Sequence, residues 1–251
     1  MTASAHVGSV AKAARILRTF EPERRLLSTR EIAQRTGYTR STCHAICATL
    51  VAEGLLELVA GGGYRLGSAL AEMGGQVIER TGLVEAATPA MDQLFKKSGG
   101  EVHLGQLVSG YIVYLTRVEH ERHLSMRNRM GLRVPADVTG CGKAALSALT
   151  PAEAHELVRA RAGGASVDLD ELDAELAEAR ERGYVVSESF QAAFPSVAAP
   201  LRGPGGGVVG GLSAAHPRGY LRGARLARVA REVQAAAALT SERLQSLHWR
   251  A

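Results

Sequence analysis

Apolar residues in the first quarter of the chain recur at helical spacing in three separate stretches. In residues 9–20 they fall three or four positions apart, at Val10, Ala13, Leu17 and Phe20. In residues 39–52 they form a regular stripe of Cys43, Ile46, Cys47, Leu50 and Val51. Spacing of this kind is typical of amphipathic helices that bury one face. The pattern therefore predicts a small helical unit at the beginning of the chain.

The second of these helices has clear signals at both ends. Ser28 stands three residues before Glu31, the spacing of a capping box, and Gly37 follows the last turn. A third helix begins at once near Thr39, and two β-like runs then flank the turn Gly61–Gly63. Helix, helix, tight turn, helix and hairpin is the order of a winged helix-turn-helix, which we assign to residues 1–67.

The rest of the chain alternates between helical and strand-like stretches. Residues 68–82 predict a linker helix, and residues 83–251 a second domain. In that domain the strand-like runs 101–108 and 111–119 flank Ser109–Gly110, and HLSMR at 123–127 is a further candidate strand. Helices are predicted from Thr150, from Asp168 to Arg182 and from Leu221 to Leu247, and strands in YVVS, SVAAPL and VVGGLSA. The fold class predicted for the domain is α+β on an antiparallel sheet.

The distribution of charge indicates a function for the N-terminal unit. The net charge is +5 with a pI near 9.4, and residues 10–70 hold nine basic residues against five glutamates. The first turn of the recognition helix of a helix-turn-helix enters the DNA major groove. We therefore predict contacts to double-stranded DNA from that helix, from the preceding helix and from the wing, through Thr39, Arg40, Ser41, Thr42, His44, Thr29, Arg30 and Arg65. The alternative is a trihelical unit that serves only protein contacts.

Other site types find little support in the sequence. Cys43 and Cys47 lie four residues apart beside His44, but no second ligand pair follows at finger spacing, so we interpret both as buried small hydrophobes. We predict no metal site, no cofactor and no catalytic constellation. The chain shows neither a secretory signal nor an apolar run of about 20 residues that would span a membrane, and we expect a cytoplasmic protein.

The order of these segments resembles the IclR family of bacterial transcription regulators. The stretches that carry the resemblance are SVAKAARILRTF, STREIAQRTGYTRSTCHAICATLVAEGLL, GGGYRLG, GLRVPADVTGCGKAALSAL and SVAAPLRGPGGGVVGGLSAAHP. The resemblance implies a DNA-binding regulator, a homodimer or a dimer of dimers on a palindromic operator, with a GAF-like effector-binding domain. Its effector would be a small carboxylate or aromatic metabolite.

Pocket residues follow from the same resemblance by motif position. It implies that Gly140, Cys141, Ser196 and Ser213 contact the effector, together with either Ser187 or Glu188. Two departures stand out: Ala45 replaces an arginine of the recognition helix, and Ala215 replaces a second pocket serine.

The stretch GCGKA allows two interpretations from its residues alone. A helix that starts after a glycine loop presents unpaired N–H groups to an anion, and Lys143 would add charge. Alternatively, the glycines only permit a tight strand-to-helix turn and Lys143 is solvated. Two other functions also remain open at this stage: an enzyme with a non-DNA-binding N-terminal module, and a winged-helix architectural protein that binds no ligand.

Overall fold

The computed structural model describes residues 7–21, 24–119, 130–161, 166–188 and 194–247. The chain divides into two compact units, Met1–Val77 and Ile78–Ala251. The division falls within helix α4 (Ser68–Thr81), in the stretch where the sequence predicts a linker. The predicted strand at 123–127 lies outside the described residues.

The N-terminal unit has the predicted order of elements. It comprises α1 (Gly8–Leu17), α2 (Thr29–Thr36), α3 (Arg40–Ala52), β1 (Leu56–Leu58) and β2 (Tyr64–Leu66). The capping box between Ser28 and Glu31 is present on both sides, and Gly37 ends α2 at φ 75°, the left-handed region that glycine adopts without strain. Both local signals are confirmed. Each depends only on neighbours within four residues, so the local sequence is sufficient to predict it.

The core of the N-terminal unit lies between the three helices and the antiparallel hairpin. Cys43, Cys47 and Leu50 of α3 are buried in it. The prediction for α1 was partly wrong: Val10 is 66% exposed, whereas Ile16, which the predicted stripe left out, is fully buried. Helix α1 also ends before Phe20, so the predicted periodicity ran past its last turn.

The C-terminal unit is an antiparallel sheet between helices, as predicted. Its helices are α5 (Leu83–Ser98), α6 (Gly140–Ser147), α7 (Pro151–Ala160), α8 (Leu169–Arg182) and α9 (Gly223–Ser246). Its strands are β3 (Glu101–Val108), β4 (Tyr111–Val118), β5 (Arg133–Pro135), β6 (Val185–Ser187), β7 (Ser196–Arg202) and β8 (Val208–Ala215). The sheet has the order β5-β4-β3-β8-β7-β6.

The two faces of the sheet pack against different helices. Alternate residues of β3, Val102 and Leu104, join the core formed with α5 and α9. On the opposite face, Ile112 and Tyr114 of β4 join a second core with α6, α7 and α8. Because side chains alternate along a strand, the remaining residues of β3 face α6. The sheet therefore presents a separate row of side chains to the start of that helix.

Candidate DNA interface and effector site

The first turn of α3 presents polar side chains to solvent. Thr39 is its N-cap, and the Thr39 hydroxyl accepts a hydrogen bond from the backbone N–H of Thr42. Arg40, Ser41 and His44 are exposed, whereas Cys43 on the adjoining face is fully buried. The burial of the cysteine face fixes which side of the helix remains outside. That outer side bears donors suited to base edges and phosphates.

The other predicted DNA contacts lie at the start of α2 and on the wing. Thr29 is half-buried and Arg30 exposed in the first turn of α2. Arg65 is exposed on β2, but its guanidinium pairs with Glu57 of β1, with 2.6 Å between Nη2 and Oε2. A neutralised arginine attracts phosphate less strongly, so the wing contributes less charge than its sequence suggests.

Two cations beside α3 were not among the DNA contacts predicted from the sequence. The Lys12 ammonium and the Arg15 guanidinium of α1 lie 5.7 Å and 5.9 Å from the ring centroid of Tyr38, immediately before the N-cap Thr39. Spacing along the sequence does not reveal this cluster, because it depends on how α1 packs beside α3. The charge at the leading end of α3 is therefore larger than α3 alone supplies.

The interpretation of the α3 cysteines as small hydrophobes is confirmed. Cys43 and Cys47 are both fully buried in the helical core. Burial and the neighbouring Cys43 raise the pKa of the Cys47 thiol to about 11, which keeps it protonated at neutral pH. Across the described part of the chain, no three histidine, cysteine or acidic side chains come together to hold a metal ion.

The start of α6 lies directly on the sheet. Its N-cap Thr139 accepts a hydrogen bond from the backbone N–H of Gly142 at 3.0 Å, and all eight residues of the helix are buried. A Cβ at Gly142 would come within 2.0 Å of the Ala136 carbonyl oxygen, and one at Gly211 within 2.3 Å of the Cys141 carbonyl oxygen. These two glycines are therefore required by close backbone packing.

Cys141 and Ser213, both predicted to contact an effector, meet beneath the start of α6. The Cys141 thiol donates a hydrogen bond to the Ser213 hydroxyl, with 3.2 Å between Sγ and Oγ. Cys141 is 1% exposed and Ser213 is 4% exposed. They form a buried polar contact between helix and sheet.

Gly140 brings two further predicted residues together. A Cβ placed on Gly140 would lie 2.6 Å from the Ser196 hydroxyl oxygen and 3.5 Å from the Ser187 Cβ. The alternatives Ser187 and Glu188 lie in different surroundings: Ser187 is buried beside Gly140, whereas Glu188 is exposed and pairs with Arg218 at 3.6 Å. Ser187 therefore faces the start of α6 and Glu188 does not, because one position along an extended chain reverses the direction of the side chain.

Lys143 was expected either at the helix start or in solvent, and both expectations are wrong. The residue is 9% exposed, and its ammonium forms an ion pair with Glu175 of α8. Its charge is thus neutralised within the layer of helices and is not presented to the first turn of α6. Of the two interpretations of GCGKA, close packing of the glycines is the part that the structure bears out.

Sequence reasoning missed two ionisable residues on the same face of the sheet. Glu101 and His103 are both buried on β3, with 3.9 Å between Glu101 Oε2 and His103 Nε2. His103 lies opposite Ser213 in the strand register, and Glu101 lies opposite Ala215. The alternation of EVHL, with apolar residues at every second position, was the available signal.

Sequence comparisons identify both units. The model of the IclR helix-turn-helix domain matches residues 9–60, and that of the bacterial transcriptional regulator IclR C-terminal domain matches residues 75–242. The chain belongs to the IclR family. As an IclR-family protein it is a DNA-binding transcriptional regulator and not an enzyme, so the enzyme alternative is wrong.

Individual relatives agree with this assignment. The transcriptional regulator XynR of Escherichia coli K12 is 27% identical over 245 residues, which cover 95% of this chain and 97% of the relative. The glycerol operon regulatory protein of Streptomyces coelicolor is 31% identical over 203 residues, covering 78% and 79%. The structure of an IclR homolog from Microbacterium hydrocarbonoxydans complexed with 4-hydroxybenzoate superposes with a TM-score of 0.79 at 26% identity, covering 95% and 100%.

The IclR assignment also accounts for the α+β fold with its antiparallel sheet, which is confirmed. Among the described residues, no helix is both long enough and apolar enough to cross a lipid bilayer.

Proposed function

We propose that this regulator binds its operator through the first turn of α3, and that a small metabolite bound beside α6 lowers or raises its affinity for the operator. One observation carries the DNA part of the proposal: Arg40, Ser41 and His44 are exposed on a helix whose opposite face is locked into the core. Guanidinium and hydroxyl groups at the start of a docked helix are placed to donate to base edges.

Phosphate contacts would hold α3 in register. Arg30 at the start of α2, and Lys12 and Arg15 around Tyr38, are exposed cations close in sequence or space to the ends of the two helices. Contacts of this kind release counterions, so operator affinity should fall steeply with salt. Binding would take place in the cytoplasm, where the chromosome lies.

The effector part rests on the polar residues beneath α6. We propose that the ligand is a small aromatic or carboxylate metabolite held by Gly140, Cys141, Ser187, Ser196 and Ser213. These residues combine hydroxyls and a thiol with the buried pair Glu101 and His103 in an otherwise apolar layer. A few polar groups on apolar walls are typical of small-molecule sites. The homolog that carries 4-hydroxybenzoate supports this ligand class.

We also propose that the regulator acts as a homodimer or a dimer of dimers on a palindromic site. Helices α1 and α4 leave large apolar side chains in solvent: Val10 is 66% exposed, Met73 48% and Val77 53%. Met73 and Val77 lie four residues apart and so share one helix face. A second copy of the chain is the occupant that a palindrome requires.

A gel-shift experiment tests the proposal. Intergenic DNA from upstream of the gene is titrated with the full chain at low salt, with and without 4-hydroxybenzoate or related acids. We expect retardation by the protein alone and a change of affinity with one of the acids. Failure of every intergenic fragment to be retarded at low salt would contradict the DNA part. Light scattering that shows a monomer on and off DNA would contradict the dimer.

A Gly140→Val variant tests the position of the effector site. The added Cβ would lie 2.6 Å from the Ser196 hydroxyl oxygen and would displace that side chain, so the response to the acid should be lost while retardation without it persists. An unchanged response would place the effector elsewhere.

A further inference from the structure

The segment before and into α9 concentrates positive charge on the effector domain. Residues 216–231 contain five arginines and no acidic residue. Three of them, Arg222, Arg225 and Arg228, stand three residues apart around the start of α9, and all are exposed. We refer to these three as the arginine patch.

The charge of the patch runs against the electrostatics of its own helix. Arg222 occupies the N-cap position of α9 without a side-chain cap, and no acidic residue stands in the first turn. Cations at a helix N-terminus interact unfavourably with the helix dipole, whereas an anion there is favourable. The arrangement therefore weakens α9 in the free protein, and a bound polyanion would offset that cost.

Tyr220 holds two members of the patch together. Arg228 Nη2 donates a hydrogen bond to the Tyr220 hydroxyl at 3.0 Å, and the Arg225 guanidinium lies 5.3 Å from the centroid of the same ring. The ring itself is stacked on the buried His216, with 4.3 Å between centroids and 4° between planes. Two guanidinium groups are thus gathered on an aromatic platform that is fixed to the end of β8.

Neighbouring carboxylates neutralise only part of this charge. Glu232 lies 4.0 Å from Arg228 Nε, at the limit of an ion pair. Within the described ranges, Arg222 and Arg225 form no ion pair with any acidic side chain. Exposed arginines whose charge is not fully neutralised by carboxylates and that are held side by side are suited to consecutive phosphates.

We infer that the arginine patch binds the phosphate backbone of DNA flanking the operator, as a second contact that does not read sequence. The inference rests on the proposed binding of α3 to the operator. The occupant follows from charge complementarity and from the chain's function as a DNA-binding regulator, because the effector domain belongs to the same chain as the DNA-binding unit. Tethering makes this second contact effectively intramolecular, so even weak phosphate contacts add affinity.

The test compares two duplexes and uses the full chain. One duplex contains only the operator core defined by footprinting of the upstream fragment, and the other adds about 15 base pairs on each side, enough for more than one helical turn of about 10 base pairs. Affinity is measured for both across a salt series. The triple variant R222Q/R225Q/R228Q removes the patch, and R159Q/R182Q/R243Q removes the same charge from exposed arginines elsewhere on the domain.

We expect wild type to bind the longer duplex more tightly and with a steeper salt dependence. Three lost phosphate contacts would reduce the slope of log K against log salt by about 2 to 3 on the longer duplex only. The matched control triple should keep the full difference between the duplexes. Tyr220→Leu keeps all three charges but frees Arg225 and Arg228, so it should reduce the difference in part.

Several results would overturn the inference. They are an equal affinity of wild type for the two duplexes, an undiminished difference in the R222Q/R225Q/R228Q variant, or an equal loss in the control triple. The R222Q/R225Q/R228Q variant could also change its mass in light scattering and yet keep the difference in affinity between the two duplexes. That result would assign the patch to a contact between copies of the chain and would overturn the inference. Failure of the proposed function is distinguishable, because an Arg40→Ala variant would then bind the core duplex as tightly as wild type.

Discussion

Helices α3 and α6 begin with the same kind of cap, but their first turns lie in opposite surroundings. Each starts at a threonine N-cap whose hydroxyl accepts a backbone N–H three residues on, Thr39 from Thr42 and Thr139 from Gly142, and neither has an acidic residue in its first turn. The first turn of α3 is mostly exposed, whereas every residue of α6 is buried. Local sequence sets the helix start, but packing decides what each start can contact.

The difference matches the size of the proposed partners. A DNA duplex needs a protruding surface, and α3 offers exposed Arg40 and His44. A small metabolite needs an enclosed polar site, and the first turn of α6 lies over Ser196 and Ser213 on the sheet. In the proposed function, the same capped helix start serves either partner, depending on whether glycines or long polar side chains follow the threonine.

The largest expected effect comes from adding a side chain at the buried start. In Gly142→Val the new Cβ meets the Ala136 carbonyl, which cannot move aside as a side chain would. We expect the free energy of unfolding of the effector domain to fall by about 3 kcal/mol. On the exposed start, Ser41→Ala should change it by less than about 0.5 kcal/mol. Denaturant unfolding of both variants gives the two values, and similar costs would show that the two helix starts do not differ in packing.

The next effect concerns DNA. Arg40→Ala removes an exposed guanidinium from the first turn of α3, and we expect a loss of about 1–3 kcal/mol in operator binding, roughly 5- to 150-fold. Stability should be unchanged. Arg243→Ala, at an exposed position near the end of α9, serves as the control in the same anisotropy titration. An equal loss in both variants would show that only net charge matters.

Acid should weaken the effector domain through a buried imidazole. Burial, together with the positive charge of Arg228, lowers the pKa of His216 from 6.5 to about 4. Below pH 6.5 the His216 imidazole therefore binds a proton in the unfolded chain, whereas in the folded domain it stays neutral until about pH 4. The free energy of unfolding should fall across this window by up to about 1.4 kcal/mol per pH unit. Denaturant unfolding at several pH values measures the slope, and His216→Gln should reduce it; an identical slope in the variant would rule His216 out.

The smallest effects come from the two caps. Thr39→Ala should cost about 1 kcal/mol of stability, because water can replace the lost bond at an exposed helix start. Thr139→Ala should cost about 2 kcal/mol, because the Gly142 N–H would be left buried without its acceptor. Thr→Ser at each position should restore most of the loss. Equal costs at the two caps, measured by thermal unfolding, would count against the difference in burial.

Local signals in the sequence were sufficient for helix ends and turns. The capping box at Ser28 and the glycine end at Gly37 appear as predicted, since each involves residues that are neighbours along the chain. The predicted stripe of α3 is also confirmed, with Cys43, Cys47 and Leu50 buried. The strands predicted in SVAAPL and VVGGLSA are confirmed as β7 and β8, which pair antiparallel.

What the sequence did not reveal depends on long-range packing. Lys143 was assigned by its place in GCGK, but its partner Glu175 is brought near only when α8 packs beside α6. Glu188 was an alternative to Ser187 among the predicted effector contacts, because the motif position is uncertain by one residue and a shift of one residue reverses the face of a strand. Arg65 was predicted to contact DNA from its place in the wing, and its pairing with Glu57 follows from the register of the wing hairpin.

Amide hydrogen exchange of the full chain, with and without the operator-containing DNA fragment, tests whether the first turn of α3 is the part of the protein that contacts DNA. DNA should slow exchange in residues 39–45 at the start of α3, and leave residues 140–147 of α6 unchanged. Unchanged exchange at the start of α3 on a duplex that the protein demonstrably binds would contradict the account.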